Sequence, residues 1–214
     1  MTDEVALIVG GGPGISASCA RLFRQEGMQV AIAARTPNKP VLKALEDEYG
    51  VRCYQSDASD PNQVEELFAT VQDEIGLPKL VVHNIDGRSR EIFRKGVAEA
   101  EPSLVLDVIK NSAFSAFLVA QQATKLMLAS PIPENGHRGT VIFTNASAAM
   151  KGYPKSGAFA MACQGKSGLA ESMARELMPE GIHVANVPID AAIGVTQEDG
   201  SRAHWGAGDT VDDN

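Results

Sequence analysis

Aromatic side chains are scarce in this 214-residue chain, at 5% of residues with one tryptophan, Trp205. That scarcity argues against a stacking platform for single-stranded nucleic acid. The charge agrees: 19 lysines and arginines against 27 aspartates and glutamates leave a formal net charge of −8, where nucleic-acid binding calls for a basic patch. Cysteine is rare as well. Cys19, Cys53 and Cys163 form an odd, widely spaced set that offers neither a disulfide framework nor a zinc ribbon. His83, His137, His183 and His204 show no metal-ligand spacing, so no metal is expected. No uninterrupted apolar run approaches the ~18 residues of a membrane span. The acidic start, Met1-Thr2-Asp3-Glu4, is unlike a secretory signal. The expectation is a cytoplasmic protein with neither a nucleic-acid nor a membrane partner.

Glycine is plentiful, with 20 residues, and hydrophobic residues make up 44% of the chain. Short apolar runs alternate with helical patterns. Val5–Gly10, Val30–Ala34, Val51–Gln55, Leu80–His83, Val141–Thr144 and Ile182–Val187 read as strands. Between them, Ile15–Gln25, Leu42–Tyr49, Asn62–Ile75, Pro102–Leu128 and Ala158–Met178 read as helices. Continuous apolar strands alternating with helices predict a doubly wound parallel sheet in a three-layer α/β/α, Rossmann-type fold. The predicted strand order is 3-2-1-4-5-6. One domain is expected over residues 1–195. Residues 196–214, polar and rich in glycine and aspartate, read as a loop or tail.

Gly10-Gly11-Gly12-Pro13-Gly14-Ile15-Ser16 stands where the first strand hands over to the first helix. Glycines there let the backbone turn sharply and approach a pyrophosphate, and the helix N-terminus presents free N–H groups and positive dipole. Gly10, Gly12, Gly14 and Ile15 are therefore cofactor candidates. At the end of the second strand, Ala34 offers no carboxylate for a ribose 2′-hydroxyl, whereas Arg35, assisted by Asn38 and Lys39, suits a 2′-phosphate. NADP(H) is accordingly preferred to NAD(H). Asp57, after the third strand, is placed to accept from an adenine amino group or to cap a turn.

These residues resemble the short-chain dehydrogenase/reductase family over about Val5–Val195. Gly10, Gly14 and Ser16 match its Gly-x-x-x-Gly-x-Gly, with serine for the last glycine. Asp57 matches its adenine-contacting aspartate. In His83-Asn84-Ile85-Asp86, Asn84 matches its Asn-Asn-Ala-Gly, while Asp86 brings a carboxylate that would repel phosphates. The resemblance implies a nicotinamide oxidoreductase acting on a carbonyl or alcohol. It places the catalytic asparagine at Asn111 and a carboxamide-holding backbone at Ile193. The Ser172–Leu177 match fixes the register of the catalytic Tyr-x-x-x-Lys, and Phe159 and Cys163 fall there instead. None of Tyr49, Tyr54 or Tyr153 is followed by lysine in that spacing. The catalytic serine falls at Ala146, with Ser147 next to it.

Phe159 has no ionisable proton, and Cys163 cannot replace an ammonium. Lys166 lies one turn further along the helix, facing the Cys163 side loosely. The C-terminal part is short relative to the family, which usually continues through a last helix and a seventh strand. Two readings follow. The first is an atypical NADP(H)-dependent oxidoreductase using Asn111 and Ser147, with Phe159 and Cys163 lining the site, and Asn84 and Ile193 on the cofactor. The alternative is a non-catalytic nucleotide-binding or partner subunit, with cofactor bound weakly or not at all. A methyltransferase-like site, which wants an acid at the end of the second strand, is opposed by Arg35. A homo-oligomer, dimer or tetramer, is expected through the two long helices.

Overall fold

The computed structural model describes residues 4–134, 136–196, 202–204 and 210–211. Six strands form a parallel sheet in the order β3-β2-β1-β4-β5-β6, the order predicted. They are β1 (Val5–Val9), β2 (Gln29–Ala34), β3 (Arg52–Gln55), β4 (Pro78–His83), β5 (Gly139–Ala146) and β6 (Ile182–Ile189). The helices are α1 (Ile15–Gln25), α2 (Pro40–Tyr49), α3 (Pro61–Glu74), α4 (Pro102–Ile109), α5 (Ser115–Ala129) and α6 (Gly157–Leu177).

Every residue of β1 is buried because helices cover both faces of the centre of the sheet. Alternate residues feed two cores. Val5, Leu7 and Val9 meet Val64, Phe68 and Val71 of α3 and Val119 and Ala123 of α5. Ala6 and Ile8 meet Ala17 and Ala20 of α1 and Leu42 and Leu45 of α2. Asp60 caps α3, accepting from the backbone N–H groups of Asn62 and Gln63, with Pro61 in the first turn. The C-terminus of α5 is held by Arg138, whose Nη1 donates to the carbonyls of Met127, Leu128 and Ser130. A buried cation is favoured at that pole of the helix dipole.

Two expectations are corrected. The helix predicted over Pro102–Leu128 is divided: a π-helical turn at Lys110–Phe114 separates α4 from α5. There the Ser115 hydroxyl donates to the carbonyls of Asn111 and Ser112, and such hydroxyl back-bonding disturbs a regular ladder. This 28-residue stretch, Pro102–Ala129, is long and apolar enough to cross a membrane by length and composition. Here seven α5 residues are buried within the fold instead. The region past Gly194 is not all loop. Strand β7 (Ala192–Thr196) pairs antiparallel with β8 (Arg202–His204) and parallel with β9 (Thr210–Val211). These strands are two to five residues long, too short for a two-residue alternation to mark them.

Candidate active site

The C-terminal ends of the strands open into two adjoining clefts of about 670 Å³ and 610 Å³. Lys39, Asn84, Ile85, Asp86 and Arg88 line both, so they form one groove across the point where the strand order reverses. Gly10, Gly11, Arg35, Lys39, Asp57 and Asn111 lie along the second cleft. Ile15, Phe159, Cys163, Lys166 and Ile193 lie along the first.

The glycine loop is built for close approach. Gly10 has φ +110°, and a Cβ there would stand 2.2 Å from the Asn84 carbonyl oxygen. A Cβ on Gly12 would meet nothing within 4 Å, which leaves open space beside the N-terminus of α1. No side chain caps that N-terminus. Uncapped N–H groups beside open space, with Lys39 Nζ close enough to donate to the Gly11 carbonyl at 3.2 Å, suit a pyrophosphate. The residues present therefore fit a dinucleotide: cations at the end of β2, glycines in the middle and an open cleft beyond.

Ser16 does more than the small residue expected there. Its hydroxyl donates to the Gly10 carbonyl at 2.7 Å and accepts from Asn84 Nδ2 at 2.6 Å. The Thr144 hydroxyl in turn donates to Asn84 Oδ1 at 2.7 Å. One chain of hydrogen bonds thus ties together the ends of β1, β4 and β5. The Asn84 amide has partners at both its nitrogen and its oxygen, so it orders the loop. Asp57 Oδ1 accepts from the backbone N–H and hydroxyl of Ser59, a turn cap that still borders the cleft. The carboxylate of Asp86, expected to repel phosphates, is paired with Arg88, whose Nε and Nη2 donate to its two oxygens at 2.7 and 2.6 Å.

Phe159 and Cys163 face the first cleft. The Arg88 guanidinium stacks over the Phe159 ring, 3.6 Å from its centre. Cys163 is buried, which pushes its thiol up and keeps it neutral, so it is unsuited to act as a thiolate nucleophile. Lys166 is the residue that counting along the sequence undervalued. It is 2% exposed, and its Nζ donates to the carbonyls of Ile85 and Thr144, both at 3.1 Å. Burial lowers its pKa to about 8. Helical side chains lean toward the N-terminus, so the long stem of Lys166 carries its ammonium back to the level of Cys163.

Ser147 and Asn111 are not brought together with these groups in one cleft. Ser147 lines a smaller cavity of about 220 Å³ with Tyr153, Lys155 and Phe159. Tyr153 Oη lies 2.9 Å from Ser147 Oγ and 3.4 Å from Asp190 Oδ1, and donates toward both. Ser147 and Lys151 hold the Asp190 carboxyl below its ordinary range, the hydroxyl contributing most. Lys151 Nζ stands 5.2 Å from the Tyr153 ring centre. The sequence showed Tyr153 only as a tyrosine outside the expected motif. Among the described residues, no three His, Cys, Asp or Glu side chains converge as metal ligands.

Residues 10–205 match the family described as enoyl-(acyl carrier protein) reductase. The chain belongs to the short-chain dehydrogenase/reductase family. It is 28% identical over 181 residues to a 3-oxoacyl-[acyl-carrier-protein] reductase, MabA, of Mycobacterium avium, covering 85% of this chain and 64% of that protein. It is 29% identical over 206 residues to tropinone reductase-like 2 of Erythroxylum coca, covering 94% of this chain and 71% of that protein. The chain thus spans less than two thirds of the Mycobacterium avium protein. A short-chain dehydrogenase structure from Rhodopseudomonas palustris superposes with a TM-score of 0.75 at 27% identity, covering 87% of this chain and 84% of that one. The names of these proteins, reductases and a dehydrogenase, are those of oxidoreductases.

Proposed function

We propose that this short-chain dehydrogenase/reductase is an NADP(H)-dependent oxidoreductase acting on the carbonyl or alcohol of a small molecule, with its catalytic groups moved from the usual positions. The buried Lys166 ammonium carries this reading. An ammonium 2% exposed, paired with carbonyls and no carboxylate, is costly to fold around, and such groups gather at functional sites. Lys166 takes the place that Cys163 leaves empty, toward the nicotinamide ribose. Arg35 and Lys39 hold a 2′-phosphate, Gly10, Gly12, Gly14 and Ile15 cradle the pyrophosphate, Asp57 faces the adenine, and the Ile193 backbone holds the carboxamide. When bound, the cofactor supplies or accepts the hydride.

The proton is the chain's own task. Ser147 hydrogen-bonds the substrate oxygen, and the Tyr153 phenol, 2.9 Å from Ser147 Oγ, replaces the proton that Ser147 passes on. Asn111 orders a water that links the interior of the site to solvent. The oligomer expected through the long helices rests on Phe114 and Phe117, stacked and part-exposed on one face. A cytoplasmic location completes the reading.

Fluorescence titration with NADPH and with NADH tests it. Tight NADPH and weak NADH binding is expected, with the preference lost in Arg35→Ala. Failure of both cofactors to bind overturns it. The alternative, a non-catalytic subunit, is favoured by one observation: the Arg88 guanidinium lies over Phe159, where the family's catalytic tyrosine would stand. Saturable NADPH binding with no hydride transfer across a carbonyl panel selects that alternative.

A further inference from the structure

A second groove of about 480 Å³ lies between the β4–α4 connection, α4 and the start of α6. The nucleotide reading does not use it. Its floor is apolar: Ile92, Val105, Leu106, Ile109 and Ala158, with Phe159 at the inner end. Its size is that of a small-molecule pocket. Its charged lining is one-sided: Arg88, Arg94, Lys95 and Lys155 border it and no carboxylate does, in a chain whose acids outnumber its bases by eight. Arg88 is engaged by Asp86. Arg94, Lys95 and Lys155 have no ion-pair partner among the described residues.

The backbone supplies an independent sign. Arg94, at φ +59°, and Lys155, at φ +58°, are the two non-glycine residues with positive φ among those described. Side chains other than glycine, asparagine and aspartate rarely adopt that conformation, and such strain gathers at ligand clamps. Both strained residues are cations, and both also border the adjoining cavity of Ser147 and Tyr153.

We propose that this groove binds an apolar molecule bearing one anionic group, its apolar body lying along α4 and Phe159 and its anion held between Arg94 and Lys155. The strain at the two cations is kept because it aims them at that anion. The site needs no nucleotide, so its test stands apart from cofactor binding.

The probe is decanoate, titrated calorimetrically below its micelle concentration without nucleotide, with decanol as the uncharged control. Saturable binding at one equivalent per chain is expected, weakened by salt, with decanol bound about tenfold less tightly. The decisive variant is Arg94→Gly with Lys155→Gly. Glycine suits positive φ, so the variant should unfold at a higher temperature than the parent while binding decanoate about tenfold less tightly. A purely structural role for the two cations would not raise stability as binding falls. Equal decanoate affinity in parent and variant overturns the proposal, as does equal affinity for decanol and decanoate. So does an absence of binding, including one that sedimentation traces to a second copy of the chain covering the groove.

Discussion

Replacing Lys166 by methionine separates the cost of burying an ammonium from the value of its hydrogen bonds. The pKa of Lys166 falls from 10.5 to about 8, chiefly through burial. That gap corresponds to about 3 kcal/mol favouring the neutral amine in the folded protein. Between pH ~8 and ~10.5 the unfolded chain still holds the proton that the folded protein has released. Raising the pH through this window therefore stabilises the parent. From pH 7 to pH 10 this one group contributes about 2.5 kcal/mol. Methionine has the length and no charge, but it leaves the carbonyls of Ile85 and Thr144 without these donors. Two such losses cost about 1 kcal/mol each. Near pH 7 the two effects oppose, and the variant should match the parent within about 1 kcal/mol. Near pH 10 the neutral amine still donates both bonds and little of the burial penalty remains, so the parent should be the more stable by about 1 to 2 kcal/mol. Urea unfolding of both proteins from pH 7 to pH 10 measures this difference, and titrating groups not coupled to Lys166 cancel in it. A difference that stays constant, or that moves toward the variant as pH rises, refutes the buried-ammonium account.

Tyr153→Phe should lower carbonyl turnover by about 10²- to 10⁴-fold while leaving NADPH affinity unchanged; a turnover unchanged in single-turnover kinetics removes Tyr153 from the proton path. Gly10→Ala sets a Cβ 2.2 Å from the Asn84 carbonyl oxygen at a positive φ. It should cost about 2 to 4 kcal/mol in thermal or urea unfolding and abolish cofactor binding. Arg138→Met removes the donors to Met127, Leu128 and Ser130 at the end of α5. A loss of about 2 to 3 kcal/mol by urea unfolding is expected, and a change below about 0.5 would show that water replaces the guanidinium at little cost. Phe159→Tyr with Cys163→Lys should create or raise carbonyl reductase activity. Adding Lys166→Ala should raise it further by relieving repulsion between neighbouring ammonium groups, and a folded, NADPH-binding double variant with no activity counts against the register.

The strand order was legible because it follows from a simple alternation of apolar runs and amphipathic stretches, together with the chirality of parallel connections. The glycine loop was legible because its position after β1 constrains it more than its composition does. The division of the α4–α5 stretch was not, because Ser115 acts through a hydroxyl bond to Asn111 that leaves no mark on the 3.6-residue period. Ser16 was read as a tolerated small residue; its bond to Asn84 spans 68 positions, and no local window joins them. Asp86 was read as a repulsive charge because its partner, Arg88, is close in sequence but pairs only through the turn that follows β4.

Spacing along the chain is a weak guide to where a long side chain ends. Counting from Phe159 to Cys163 finds the backbone position of the family's lysine, but the ammonium sits several bonds away from its own Cα. Cys163 and Lys166 lie one turn apart, about 4.5 Å along the helix axis, within the reach of a lysine stem. The helix leans that stem back toward its own N-terminus. A motif read as letters at fixed offsets therefore does not register a functional group that a neighbouring position carries to the same level. The same reasoning applies to Tyr153. It lies six residues before Phe159 and outside α6, yet it shares the Ser147 cavity with that ring because the loop before α6 folds back along the strand ends. Lys166 borders the first cleft and Tyr153 the smaller cavity beside it, so under the proposed function the ammonium and the phenol reach the reaction from two separate elements, a helix and a loop.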